Sequence, residues 1–180
     1  MEIRSDRDLV EMAVKNPEKG FRCLMAKYKD AVYWHIRRLV VDHEDAQDAT
    51  QETFVRIFRS LSVFRGECSF RSWIFRIATN EAFRVLDRYR NDRMPLDNAL
   101  AELNGMIADE YVDYNDWEAV KLQKAILALP AKQQLAFCLR YYNELEYGEI
   151  AGITGSTVDS VKSSYHIAKE KIIRYMNLND

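Results

Sequence analysis

Apolar residues recur at every third or fourth position through two long stretches of this chain, and the pattern lapses only between residues 91 and 116. That spacing puts the apolar side chains on one face of a helix, and it leaves little from which a sheet could be built. One series runs through Phe21, Leu24, Met25, Tyr28, Ala31, Val32, Ile36 and Leu39. A second takes in Ala46, Ala49, Phe54, Ile57 and Leu61, and a third Phe70, Trp73, Ile74, Ile77, Ala78, Val85, Leu86 and Tyr89. Six glycines and three prolines among 180 residues supply few breaks, and 48% hydrophobic content is enough for a core. The expected fold is all-α.

The breaks that exist fall between the periodic runs. Ser5 is placed to cap a first helix, Asn16-Pro17 ends it, Asp42 opens a third with Glu44 and Asp45 in its first turn, and Arg65-Gly66-Glu67 interrupts before a fourth begins after Ser69. Four such helices make one bundle. The aperiodic stretch after residue 91 reads as a flexible linker. A second set of helices starts near Trp117, with Pro130 opening its second member, a short helix near Tyr147–Ile153 and a long last helix from about Thr157. The organisation expected is an amino-terminal bundle over 1–92, a linker over 93–116 and a carboxy-terminal domain over 117–180.

The formal net charge of −2 looks unfavourable for a nucleic-acid binder until it is divided along the chain. Residues 1–93 carry 18 Lys and Arg against 15 Asp and Glu, residues 94–118 none against 7, and residues 119–180 carry 8 against 6. Two mildly basic blocks therefore flank an acidic connector. Cys23, Cys68 and Cys138 lie far apart without ligand spacing, which argues for reduced thiols over a zinc site or a disulfide framework. A charged amino terminus and no stretch approaching about 18 apolar residues point to a soluble, cytoplasmic protein with no membrane insertion.

Residues 147–166, YGEIAGITGSTVDSVKSSYH, have helix-turn-helix spacing. Ile150 packs the first helix, Ala151 is small enough for the second to cross over it, and Gly155 suits the positive dihedral of the turn. Val158, Val161, Tyr165 and Ala168 form the inner face of the second helix. Ser156, Thr157, Asp159, Ser160, Lys162, Ser163, Ser164, His166 and Lys169 are left facing out, where they can enter a major groove. Spacing alone leaves a plain helical hairpin open.

The longer segment 129–172, LPAKQQLAFCLRYYNELEYGEIAGITGSTVDSVKSSYHIAKEKI, resembles region 4 of bacterial sigma factors of the small, extracytoplasmic-function (ECF) type. The chain departs from the usual pattern in having Gln134, Ser164 and Ile167 where arginine is usual, and Thr154 in an apolar place. The resemblance implies that the outward set above reads the minus-thirty-five promoter element.

An independent segment, residues 45–88, resembles sigma region 2 through DAQDATQETF, FRG and the helix FRSWIFRIATN. In the family the face bearing Asp48, Gln51 and Glu52, with Phe54 and Arg56 beside it, grips the clamp coiled coil of the polymerase's largest subunit. The resemblance assigns Arg65, Glu67, Cys68, Ser69, Arg76, Asn80, Glu81, Arg84 and Arg88 to the minus-ten element, although Arg84 and Asp87 reverse the family's usual order there. Basic side chains hold a backbone and aromatic rings can stack on unpaired bases. Phe70, Trp73, Ile74 and Ile77 nevertheless lie at core spacing.

Together the two resemblances imply a sigma factor that binds core RNA polymerase, through its largest and second-largest subunits, and promoter DNA, with an anti-sigma factor as a further partner. The acidic connector would thread toward the RNA-exit channel. No catalytic residue, metal or cofactor is expected. The competing readings are a stand-alone helix-turn-helix regulator, which would need no polymerase, and a helical-bundle enzyme using the carboxylates near 42–52, for which the paired Glu-x-x-His motifs are missing.

Overall fold

Ser5 caps the first helix as its spacing suggests: its hydroxyl accepts from the Asp8 amide, while the Asp8 carboxylate reaches back to the Ser5 amide at 3.1 Å. In the computed structural model, which describes residues 5–40, 42–91 and 117–178, helix α1 spans Asp6–Lys15. Helix α2 follows at once over Pro17–Leu39, with Asn16 accepting from the Lys19 amide and proline at its first position. Asp42 caps α3, His43–Ser60, and a single 3₁₀ turn, Leu61–Val63, follows it. Gly66 takes φ +74° in the loop before α4, Phe70–Asn91, and Ser69 accepts from the Ser72 amide at the start of that helix. The expected acidic connector and the side chains of Tyr89 and Arg90 lie outside the described residues.

The carboxy-terminal helices are α5, Trp117–Leu127; α6, Ala131–Tyr141; α7, Tyr147–Thr154; and α8, Val158–Leu178. All regular structure among the described residues is helical. The expected positions recur within a residue or two, because caps and prolines act locally.

Leu24, Val32, Ile36, Ile57, Ile74, Ala78 and Ala82 are buried between α2, α3 and α4. Close crossing of α1 and α2 depends on Gly20: a Cβ there would lie 2.3 Å from the Ala13 Cα. Ala125, Ile126, Phe137, Cys138, Ala168 and Ile172 form a smaller core among α5, α6 and α8. The larger core does not stop at the amino-terminal bundle. Leu135, Ala136 and Leu139 of α6, Leu145 of the following turn, and Ile150 and Ala151 of α7 belong to the same buried cluster as Leu39, Val40, Ile74 and Phe75. Each large apolar side chain buried this way contributes roughly 2 kcal/mol, so this seam joins the two sets of helices firmly.

Candidate functional site

The helix-turn-helix is built by α7, the turn at Gly155 and α8. Gly155 adopts φ +64° and ψ +27°, and its amide closes the end of α7 on the Ala151 carbonyl. The Glu149 carboxylate accepts from the Glu146 amide at 2.9 Å, which fixes the start of α7. Thr157 accepts from the Ser160 amide at 3.2 Å, so its hydroxyl serves the first turn of α8. Thr154, in its ordinarily apolar place, donates to the Ile150 carbonyl at 2.9 Å and is satisfied there.

Val161, Ala168 and Ile172 point into the core, and Tyr165 lies between the rings of Phe137 and Tyr147. Val158 is the exception to the expected inner face: in the first turn of α8 it is exposed. Thr157, Asp159, Ser160, Lys162, Ser163, His166 and Lys169 are exposed, and Ser156 and Ser164 are half-buried. His166 Nε2 lies 3.3 Å from the Glu170 carboxylate on the same surface. The helix therefore presents a polar face on which Lys162 and Lys169 are the exposed cations, side chains of the kind that can reach base edges and phosphates.

On α3, Asp48 and Gln51 are exposed while Glu52 and Arg56 are half-buried. Phe54 differs from the expectation of a contact residue. It is buried, with its ring edge-on to Phe21, because it points to the core side of the helix. The apolar residues that do share the outer face are Val55 and Phe58, 39% and 46% exposed. They lie four and seven positions after Gln51, the helical spacing that could have identified them from the sequence.

On α4, Arg76, Asn80, Arg84 and Arg88 recur every fourth residue and are all exposed, forming one stripe. Arg65, Glu67 and Ser69 of the preceding loop are exposed as well, and Cys68 is half-buried. Glu81 departs from this set. It is 5% exposed, with its carboxylate 2.7 Å from both Arg56 Nε and Arg84 Nη1. The Arg56 Nε hydrogen is not directed along that line, so charge, more than a directed hydrogen bond, ties α3 to α4 there. The aromatics resolve in favour of packing: Phe75 and Phe70 are buried, Trp73 stacks on Phe70 with ring centroids 5.6 Å apart, and Phe64 lies tilted against Trp73 at 5.0 Å.

His35 is the buried polar residue that apolar periodicity does not reveal. It is fully enclosed, with Nδ1 3.2 Å from the Asn143 side chain and Nε2 2.9 Å from the Thr79 hydroxyl. Burial pushes its pKa down to about 4; the Asn143 hydrogen bond opposes this and the Arg38 charge adds to it. A neutral imidazole that donates from Nδ1 and accepts at Nε2 satisfies both partners. Burial likewise pushes the Cys138 thiol up to about 12, against the nearby Arg38 charge, so this cysteine is an inert core residue. Among the described residues there is no group of His, Cys, Asp and Glu able to hold a metal ion, and no helix long and apolar enough to cross a membrane.

Residues 24–93 match the family described as Sigma-70 region 2, and residues 119–172 match Sigma-70, region 4. The RNA polymerase sigma-H factor of Pseudomonas aeruginosa is 31% identical over 177 residues, covering 93% of this chain and 91% of that one. The ECF RNA polymerase sigma-E factor of Haemophilus influenzae is 30% identical over 178 residues, covering 93% of each. Among solved structures, the sigma factor RpoE in complex with the anti-sigma factor NepR from Bartonella quintana has a TM-score of 0.72 at 20% identity, covering 90% of this chain and 99% of that one. At that identity the likeness bears on the fold.

Proposed function

Because this chain belongs to the ECF branch of the sigma-70 family of RNA polymerase sigma factors, we propose that its two helical units divide the work of initiation between them. A sigma factor is a non-enzymatic polymerase subunit, and what it supplies is differential binding. By holding opened DNA better than duplex, it shifts the melting equilibrium and needs no nucleophile or cofactor. The bundle over 1–92 carries the polymerase-binding and minus-ten functions, 93–116 is the connector, and 117–180 carries the minus-thirty-five function.

The outer face of α3, with Asp48, Gln51, Glu52 and Arg56 joined by exposed Val55 and Phe58, docks on the largest polymerase subunit. Phe54 supports that face from within. The stripe Arg76–Asn80–Arg84–Arg88 and the loop bearing Arg65, Glu67, Cys68 and Ser69 take the minus-ten element, where an unpaired base must be held out of the stack. Glu81 positions Arg84 and Arg56 from beneath. Residues of α8 from Ser156 to Lys169 read the minus-thirty-five element, and the same unit reaches the second-largest subunit. An anti-sigma factor is the regulatory partner, in keeping with the complex of the Bartonella relative, and the place of action is the cytoplasm.

The observation that carries this reading is the presence of both regions, in order, within one chain. The test is in-vitro transcription with core polymerase and genomic DNA. New start sites that depend on this chain support the proposal. A purified chain that fails to associate with core polymerase, yet binds an operator by itself, overturns it.

A further inference from the structure

The outward side of α8 is not uniform. Ser163, Ser164 and Ile167 follow Ser160 by three, four and seven positions, so the four side chains share one strip of the helix. Ser160 and Ser163 are exposed, Ser164 is half-buried, and Ile167 is 40% exposed. Lys162, His166 and Lys169, spaced in the same way, form a second strip beside it. On an ordinary surface a single exposed isoleucine needs no explanation. Here it ends a line of hydroxyls on the face assigned to the major groove, and that position gives it one.

In the major groove, guanine is held most often by an arginine or lysine that reaches O6 and N7 together, adenine by an asparagine or glutamine amide, and thymine by an apolar group laid against its C5 methyl. The strip of Ser160, Ser163, Ser164 and Ile167 has no guanidinium, ammonium or amide to offer. Lys171, next on the same line, is turned toward α6, where its Nζ donates to the Gln133 side chain at 3.0 Å. Arg174 lies about 10 Å farther along the axis than Ile167. Hydroxyls both donate and accept, and so tolerate several bases. The isoleucine side chain does neither. Set against guanine it would take water from two acceptors and return nothing, whereas against thymine it covers a methyl.

We infer that Ile167 is a specificity-determining residue of the minus-thirty-five contact, reading one thymine through its C5 methyl and disfavouring guanine at that pair. The inference rests on the assignment of α8 to the minus-thirty-five element. Lys162 and Lys169 add affinity for the backbone whatever the sequence, and Ile167 adds discrimination at a single pair.

The test uses holoenzyme assembled on core polymerase with wild type, Ile167→Ala or Ile167→Arg, and selects bound promoters from a pool randomised across the minus-thirty-five element. The pair at which Ile167→Ala loses the parent's base preference is the one that Ile167 faces. Deoxyuridine in place of thymidine at that pair then removes the methyl alone. The expected result is thymine on one strand of that pair for the wild type, promoter binding weakened roughly three- to fivefold by deoxyuridine, no such loss for Ile167→Ala, and guanine selected there by Ile167→Arg. The inference is overturned, and the sigma function left standing, by any of four outcomes: no pair at which wild type and Ile167→Ala differ, a pair without thymine, a methyl whose removal costs both proteins equally, or thymine retained by Ile167→Arg. Holoenzymes that select no minus-thirty-five sequence with any of the three chains overturn the assignment of α8 itself.

Discussion

Lowering the pH should loosen this protein through His35. The groups that face its ring are Thr79 and Phe75 from α4, Asn143 from the turn after α6, and Arg38 from its own helix, none of which is acidic. The folded state therefore resists protonation until about pH 4, whereas the unfolded chain takes up the proton near the ordinary histidine value of about 6.5. Between those values the unfolded state binds more protons, so stability is complete above about pH 6.5 and falls as pH falls toward 4. With about 1.4 kcal/mol per pH unit of difference, the loss is on the order of 2 kcal/mol at pH 5 and 3 kcal/mol by pH 4. Urea denaturation of wild type and His35→Gln from pH 7.5 to 4.5 isolates this contribution, because the variant keeps hydrogen-bonding capacity without the titration. An imidazole signal for His35 that titrates above pH 6, or equal pH sensitivity in the two proteins, would refute the reasoning.

Gly20→Ala forces a methyl into the α1 backbone and should cost about 2 kcal/mol, a fall in Tm of roughly 6 °C by calorimetry. Glu81→Ala should cost about 1–2 kcal/mol, less than a fully buried ion pair because Arg56 and Arg84 remain 43% and 56% exposed, and a double-mutant cycle with Arg56→Ala should show coupling. Lys162→Ala should weaken binding to all minus-thirty-five duplexes alike and make the log–log salt slope shallower by about 1 in fluorescence titrations. Val55→Asp, at an exposed position on α3, should weaken core-polymerase binding by roughly tenfold in a pull-down titration while Tm stays near the parent's.

Much of this architecture is written locally. Ser5, Asn16, Asp42 and Ser69 each stand where a helix begins, and each uses its side chain to satisfy a free amide of the first turn. Gly155 was identifiable as a turn because an ordinary residue is strained at its positive φ. The stripe at 76, 80, 84 and 88 and the outward set of α8 follow from helical period alone. Phe54 and Glu81 were less legible. A phenylalanine beside an acidic face and a glutamate beside arginines have compositions that suit either surface or interior, and only the neighbouring helix decides which.

Residue order by itself determined that this chain forms helices and where most of them begin, because caps, turns and periodicity act within a few residues of one another, and its contiguous motifs carried the likeness to the two sigma regions in order. Tertiary structure alone decided that the two units share a core, that His35 and Asn143 meet across 108 positions of chain, and that Ser69 and Ser72 find their acceptor on α7. The physical reason is that an apolar helix face specifies that it must be covered but not by what. The choice among possible covers rests on packing shape and on which buried donors and acceptors become satisfied together, and those quantities exist only once distant segments are side by side.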